Sequence, residues 1–202
     1  MLLLLVMLGL SAYVIDRAVA APDLGGTVRG PNHGNDELGI AATLAPQLAA
    51  GLIVQAHAVI TLSEHDLSVV AAQNNPKPAE FRNISARVRD GLLVISGDVS
   101  VGPFTPAAVA HVEITFDNNG GHATFNAHVT DVGLGQLTLP GWLRDRYTSQ
   151  VMQSAQLTPL FAGNSALKEA AANIECVTVA DDGVRIGVHR PGTTPDPSVC
   201  GF

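Results

Sequence analysis

Hydrophobic and polar residues alternate in several short segments of this chain, a pattern typical of β-strands with one buried face. The segments lie at 52–60, 84–89, 92–101, 108–116, 123–130, 174–179 and 184–189. Asp90-Gly91 separates the second and third segments, and Asp181-Asp182-Gly183 separates the last two, so both pairs are predicted to be tight hairpins. The pattern therefore predicts an antiparallel meander with one wet face and one dry face.

Three other segments are predicted to be helices, and the first of them carries apolar residues at helical spacing. The first begins after a cap at Thr61 or Ser63 and stops at Asn74-Asn75-Pro76. The other two, at 142–154 and 165–172, are expected to cover the dry face of the sheet. The predicted fold class is therefore α+β, an antiparallel sheet packed on one face by one or two helices.

Residues 1–15 form an unbroken apolar run, which predicts a membrane segment. At about 1.5 Å per helical residue the run spans roughly 22 Å, so it must continue through 18–21 to cross a hydrocarbon core of roughly 30 Å. Ala18-Val19-Ala20-Ala21-Pro22 has the small-x-small form of a signal-peptidase site, but no Lys or Arg precedes Arg17. We favour an uncleaved transmembrane or signal-anchor helix, and a cleaved signal stays open. The remainder is expected outside the cytoplasm in either case, although Arg17 and Arg29 alone would favour the opposite orientation.

Composition divides the rest of the chain into three parts. Residues 22–51 are rich in Gly, Pro, Asn and Asp and are predicted to be a flexible tether between the membrane segment at 1–21 and the folded domain. Residues 52–190 carry the predicted strands and helices, and 191–202 form a Pro-rich tail. One globular domain with a substantial core is expected.

The core must be mainly aliphatic, because 47% of the chain is hydrophobic and 4% is aromatic. Small residues stand at several inward positions of the strands: Ala86, Gly97, Ala110, Ala123 and Ala127. They either leave an apolar groove between sheet and helix or let the helix approach closely, as interiors normally pack. For a groove, the predicted lining is Ile95, Val99, Val112, Ile114, Phe125, Ala127 and Val129 from the strands and Trp142, Leu143 and Val151 from the helix.

Charge and motif content disfavour several function classes. A net charge of −7 with 11 scattered basic residues argues against nucleic-acid binding. None of the seven histidines stands in a metal-ligand register, and no serine lies in a Gly-x-Ser-x-Gly turn, so no metal, cofactor or catalytic residue is predicted. Cys176 and Cys200 are predicted to form a disulfide that staples the tail in an oxidising compartment, with two free thiols as the alternative.

The order of elements and four segments resemble the YpmS-like bacterial proteins, membrane-anchored relatives of tubular lipid-binding (TULIP-type) domains. The segments are Ile60-Thr61-Leu62-Ser63-Glu64-His65-Asp66-Leu67, Leu92-Leu93-Val94-Ile95-Ser96-Gly97, Asp131-Val132-Gly133-Leu134-Gly135-Gln136-Leu137-Thr138-Leu139-Pro140 and Val177-Thr178-Val179-Ala180-Asp181-Asp182-Gly183-Val184-Arg185-Ile186. The resemblance covers residues 52–190. It implies a helix lying in a strongly curved antiparallel sheet, with an apolar seam that receives a lipid or another hydrophobic ligand and performs no catalysis.

Two hypotheses of different classes follow. The first is a membrane-tethered domain outside the cytoplasm, periplasmic or at the cell surface, that binds a membrane lipid or other hydrophobic molecule. The alternative is an accessory structural subunit of a membrane protein complex, held to other membrane subunits by its single N-terminal helix. A hydrolase is the third and weakest hypothesis.

Overall fold

The computed structural model describes residues 13–20, 22, 24, 29–30, 37–76, 78–100, 105–119, 122–139, 144–145, 148, 151–152, 155 and 165–201. The helices are α1 (Glu37–Val54), α2 (Glu64–Gln73) and α3 (Ser165–Ala171), and a 3-10 helix covers Pro197–Cys200. The strands are β1 (His57–Leu62), β2 (Phe81–Arg89), β3 (Leu92–Val99), β4 (Ala107–Asn119), β5 (His122–Leu134), β6 (Leu137–Thr138), β7 (Ile174–Ala180) and β8 (Gly183–His189). The α+β class predicted from the sequence is confirmed.

The strands form two antiparallel sheets, whereas the sequence predicted one. The larger sheet has the order β2-β3-β4-β5-β6 and the smaller one the order β1-β8-β7. The hairpin of β7 and β8 does not extend the meander because β8 pairs with β1, from His57 opposite His189 to Leu62 opposite Val184. Local alternation predicts that a segment is a strand, but it does not indicate which strand will pair with it when that strand lies more than a hundred residues away.

Both predicted hairpin turns are confirmed. Asp90 and Gly91, between β2 and β3, have positive φ angles of 53° and 74°, which a two-residue type I′ turn requires. Gly183, at the start of β8, has a φ of 143°, and a Cβ atom there would lie 2.0 Å from the carbonyl oxygen of Leu62. The backbone of the second turn therefore packs against β1 so closely that only glycine fits.

Helices α2 and α3 lie where the sequence predicted them. Ser63 caps α2, since its Oγ accepts from the Asp66 N–H at 3.2 Å and its own N–H donates to Asp66 Oδ2 at 3.0 Å. The helix ends at Gln73, with Asn74 as the C-cap. α3 matches the predicted helix at 165–172. Of the predicted helix at 142–154, residues 144–145, 148 and 151–152 are described, and all of them are helical.

Helix α1 corrects the predicted tether at 22–51 and the predicted strand start at residue 52. Its buried residues recur at helical spacing and join the core: Ile40, Ala41, Leu44, Ala45 and Leu48. The composition concealed this face because Pro46 lies inside the helix, between Gly39 and Gly51. Packing against the domain outweighs the low helix propensity of these three residues. The folded part therefore includes α1, and the first strand begins at His57.

The described residues that precede α1 also lie against the domain. The backbone N–H of Arg29 donates to Glu64 Oε2 at 2.8 Å, and the Leu24 carbonyl accepts from Arg89 Nε at 2.9 Å. At Gly30 the backbone approaches Ser63 so closely that a Cβ would lie 2.1 Å from the serine Cβ. A Gly- and Asn-rich segment lacks an apolar face, but its backbone groups still hold it by hydrogen bonds.

Residues 13–19 are helical and expose Tyr13, Val14 and Ile15. The backbone N–H of Gln136 donates to the carbonyl of Arg17 at 3.0 Å, and the Arg17 guanidinium donates to the Gln136 side-chain oxygen. The end of this helix is thereby held at the turn between β5 and β6. Within the described residues, no helix combines the length and the apolar character needed to cross a membrane.

One apolar cluster joins both sheets and the helices α1, α2 and α3. It contains Leu62 of β1, Ile95 of β3, Leu167 of α3 and Ile186 of β8, each fully buried. The expected disulfide between Cys176 and Cys200 is present, so the 3-10 helix of the tail is fixed to β7. Burial of these aliphatic side chains, at about 25 cal/mol per Å² of apolar surface, is the main favourable contribution to folding.

Candidate ligand-binding surface

The longest strands in the described part of the chain are β4 and β5, with 13 residues each. The alternation predicted for β4 is confirmed, since Ala110 and Val112 are buried whereas Glu113 and Thr115 are exposed. A bulge at Thr130 adds one residue to β5, so that His111 faces Asp131 and Val112 faces Val129. Because of this bulge, Val129 and Val132 both lie toward the core side although they are three residues apart.

The part of the predicted groove nearest the domain centre is closed. Ile95, Val99, Val112 and Val151 are each at most 4% exposed. The space beside Ile95, Val99 and Val151 amounts to about 10 Å³, scarcely the room that one water molecule needs. These side chains therefore form packed core in this structure and leave no room for a ligand.

Gly97 illustrates why a small residue did not leave a gap. A Cβ at Gly97 would lie 2.5 Å from Cε2 of Phe81, so the phenylalanine ring fills the space above the glycine. Ala86 and Ala110 are likewise almost completely buried. At these three positions the small residues allow close packing and do not leave a cavity. This agrees with the high packing density of protein interiors.

The outer part of the predicted groove has a different environment. β3 pairs with β4 up to Leu93 opposite Val112, and β6 pairs with β5 at Gly133 and Leu134. Between these limits, residues 113–119 and 122–129 form a two-stranded ribbon with no third strand among the described residues. This section of β4 and β5 is called the ribbon below.

The ribbon has one apolar face. Ile114, Ala127 and Val129 lie on it half-buried, in line with the core row of Ala110 and Val112. The other face carries exposed polar residues, Glu113, Thr115, Asn126 and His128. The side chain of Phe125, and Trp142 and Leu143 altogether, lie outside the described residues, so the structure brings together part of the predicted lining. The ribbon face remains the candidate surface for an apolar ligand.

A buried carboxylate that the sequence did not single out joins α2 to the strands and to the segment before α1. The Glu64 side chain is fully buried, and it accepts hydrogen bonds from the Arg29 N–H at 2.8 Å, the Val88 N–H at 2.9 Å and Arg89 Nη1 at 2.7 Å. Burial by itself would raise the pKa of Glu64, but the Val88, Arg29 and Arg89 donors outweigh it and lower that pKa. Glutamate in the first turn of a helix carried no sequence signal of this role.

A second missed cluster holds the tail. His57 Nδ1 lies 3.0 Å from both carboxylate oxygens of Glu175, and Glu175 Oε2 accepts from the Asp196 N–H at 2.7 Å. The hydroxyl and the N–H of Ser198 both donate to Asp196 and lower its pKa. This cluster lies beside the Cys176–Cys200 disulfide, so covalent and polar contacts fix the same segment.

Among the described residues, no three His, Cys, Asp or Glu side chains are grouped to bind an ion. His128 is exposed on the polar face of the ribbon, as the alternation predicted.

Comparison of the chain with protein-family models, with curated proteins and with solved structures found no match. The ribbon and the polar clusters therefore have to be interpreted from their own chemistry.

Proposed function

We propose that this protein is a membrane-tethered module outside the cytoplasm that binds a lipid or another hydrophobic molecule, without catalysis, along the apolar face of the ribbon. The observation that carries the proposal is the half-buried row of Ile114, Ala127 and Val129 on a ribbon with no third strand among the described residues. A two-stranded hairpin is marginally stable in water on its own, so an apolar face on such a ribbon gains from being covered.

The chemistry of the row favours binding over catalysis. Its side chains are hydrocarbon and can neither transfer a proton nor attack a substrate. They can exclude water from an acyl chain, at about 0.8 kcal/mol for each buried methylene group. The resemblance to YpmS-like and TULIP-type proteins points to the same class of ligand and belongs to this proposal.

The position of the ribbon suits a route between a membrane and the solvent. β5 extends over roughly 40 Å from the tip of the ribbon to the turn at Gly135. Residues 17–20 are held at that turn, and they follow the apolar run of the sequence. If the run lies in a bilayer, the base of β5 is near the membrane, and the tip of the ribbon lies roughly 40 Å from that base. The disulfide between Cys176 and Cys200 supports an oxidising compartment.

The proposal is tested by titrating the full chain with cis-parinaric acid, an acyl chain whose fluorescence rises in an apolar site. Ala127→Trp places a large ring on the apolar face, and His128→Trp places the same ring on the polar face as a control. We expect binding to the natural protein and to His128→Trp, and loss of binding with Ala127→Trp. The absence of a fluorescence rise in the natural protein, or equal binding by both variants, would count against the proposal.

The melting temperature of the same variants adds a second readout. A face that receives a ligand has room for the tryptophan, so Ala127→Trp should change stability little. A face that is already close-packed would be overpacked, at a cost of about 1–3 kcal/mol. A large loss of stability together with no bound probe would reject the ribbon as a ligand surface.

The alternative, an accessory subunit of a membrane complex, is favoured by a separate observation. Tyr13, Val14, Ile15 and Val19 are 44–57% exposed on the helical segment at 13–19. Replacement of Val14 and Ile15 by serine should leave the domain folded and, under this alternative, release the protein from its membrane partners. Native mass spectrometry after mild detergent extraction distinguishes the two cases, because a partner subunit adds a constant protein mass and a lipid adds a small one.

A further inference from the structure

A cavity separate from the ribbon lies between α1, α3 and the end of β8. Its volume is about 200 Å³. Leu48 and Leu52 of α1, Ala170 of α3 and Val188 of β8 supply apolar walls, and Ala49 stands exposed at its edge. An apolar cavity of roughly 150 Å³ in another protein stays dry and takes up benzene, so a space of this size suits a molecule with one ring or a short chain.

Beside Asn173, whose Nδ2 donates to the Glu169 carbonyl oxygen, His189 adds a polar group to this apolar wall. The residue is 9% exposed and lines the cavity. Its Nδ1 lies 3.0 Å from the carbonyl oxygen of Arg190. A carbonyl oxygen can only accept, so this contact favours the tautomer with its proton on Nδ1, in which Nε2 is an acceptor. Among the described residues nothing is hydrogen-bonded to Nε2. This atom is open to solvent and not sealed in the core, so a ligand that donates a hydrogen bond can replace water there.

The charge at the rim decides between a neutral and an anionic ligand. Among the described residues of the lining, Glu169 is the acidic side chain, and it is exposed at the rim. The nearby Arg190 guanidinium is engaged by the carbonyl oxygens at the end of α1, with Nε 2.8 Å from the Leu52 oxygen and Nη2 2.9 Å from the Gln55 oxygen. A carboxylate ligand would therefore meet the like charge of Glu169, while Nε and Nη2 of Arg190 are already used by the end of α1.

We propose that this cavity binds a small neutral molecule with an apolar ring or short chain and one hydroxyl group, which donates a hydrogen bond to Nε2 of His189. The site does not depend on the ribbon or on a membrane. It combines the two features of small-molecule sites, an apolar concave wall and a small number of polar groups.

The test uses phenol as the probe and toluene as its match without the hydroxyl group. Binding to the full chain is followed by the NMR shifts of the Leu48 and Val188 methyl groups. Because one net hydrogen bond contributes about 0.5–1.5 kcal/mol, phenol should bind roughly two- to tenfold more tightly than toluene. The variant His189→Phe should remove that preference while leaving toluene binding in place.

Two matched alanines on α1 test the location. Ala49 lines the cavity, whereas its neighbour Ala50 is exposed and does not. Ala49→Phe should abolish phenol binding, and Ala50→Phe should preserve it. Ala127→Trp should also preserve it, which separates this site from the ribbon. The absence of methyl shifts with phenol, equal affinity for phenol and toluene, or full binding by Ala49→Phe would each overturn the proposal.

Discussion

Replacement of Glu64 by glutamine removes one negative charge from the interior while keeping the size of the side chain. In the natural protein Oε1 accepts from Val88 N–H and Arg89 Nη1, and Oε2 accepts from Arg29 N–H. The amide of glutamine has one acceptor oxygen and one donor nitrogen. In either orientation of the amide, its NH₂ group must face at least one of these donors. The remaining hydrogen bonds become weaker because their acceptor no longer carries a negative charge.

The expected magnitude follows from those contacts. A hydrogen bond to a charged group contributes about 1.5–3 kcal/mol, and the lost bond leaves a donor facing a donor. Arg89 is 26% exposed and can turn toward water, which reduces the penalty for its charge. We therefore expect Glu64→Gln to lower the free energy of unfolding by about 2–4 kcal/mol. For a chain of this size that corresponds to a fall in Tm of roughly 5–15 °C.

The pH dependence of the loss tests its origin. The pKa of Glu64 in the folded protein lies below its ordinary value of 4.5. A lowered folded pKa means that the carboxylate contributes stability above the unfolded pKa and loses it as the pH falls through the folded value. The gap in stability between the natural protein and Glu64→Gln should therefore be constant near neutral pH and should narrow once the pH falls below 4.5.

Urea unfolding followed by circular dichroism at several pH values measures both effects. Glu113→Gln is the matched control, because Glu113 is exposed on β4 and should change stability little. A Glu64→Gln variant as stable as this control at neutral pH would refute the reasoning. So would a gap that persists unchanged at acidic pH, since it would then come from packing and not from charge.

Three further predictions concern other parts of the fold. Cys200→Ser should lower the free energy of unfolding by about 3 kcal/mol, because it opens a loop with a sequence separation of 24 residues, and the recovery of two alkylatable thiols from the natural protein would contradict the disulfide. Glu175→Ala should speed amide hydrogen exchange at Asp196, whose N–H donates to that carboxylate; unchanged exchange at Asp196 would show that this hydrogen bond does not hold the tail. Gly183→Ala should cost more stability than Gly192→Ala in thermal unfolding, since a Cβ at Gly183 meets the Leu62 carbonyl oxygen and one at Gly192 meets open space, and equal losses would contradict the close approach.

Features governed by neighbouring residues could be predicted from the sequence. The capping box of Ser63 and Asp66, the turn at Asp90 and Gly91, and the two faces of β4 all depend on side chains a few residues apart. Turn geometry and strand alternation have a direct physical basis in backbone dihedral angles, so the pattern and the structure agree.

Features that depend on residues far apart in the chain could not be predicted from the sequence. Helix α1 was missed because its formation depends on packing against β1, α2 and α3, which outweighs Gly39 and Pro46. The hydrogen bonds of Arg190 to the end of α1 join residues about 135 positions apart, and no local pattern indicates such a cap. The same holds for Glu64, which looked like an ordinary first-turn acid.

The candidate site also has one part that the sequence predicted and one part that it did not. Alternation placed Ile114, Ala127 and Val129 on one face correctly. It could not show that Phe81 of β2 fills the space above Gly97 of β3, because alternation along one strand says nothing of the side chains on its neighbour. The inner half of the expected groove is therefore core, and the ribbon is the part that stays a prediction.

Native mass spectrometry of the full chain, extracted in mild detergent without denaturation, tests the central proposal most directly. The account predicts that the natural protein and His128→Trp retain a small apolar molecule, visible as an added mass that an organic solvent removes, and that Ala127→Trp retains none. The mass of the bare chain in the natural protein, or the same added mass in all three, would contradict ligand binding along the ribbon.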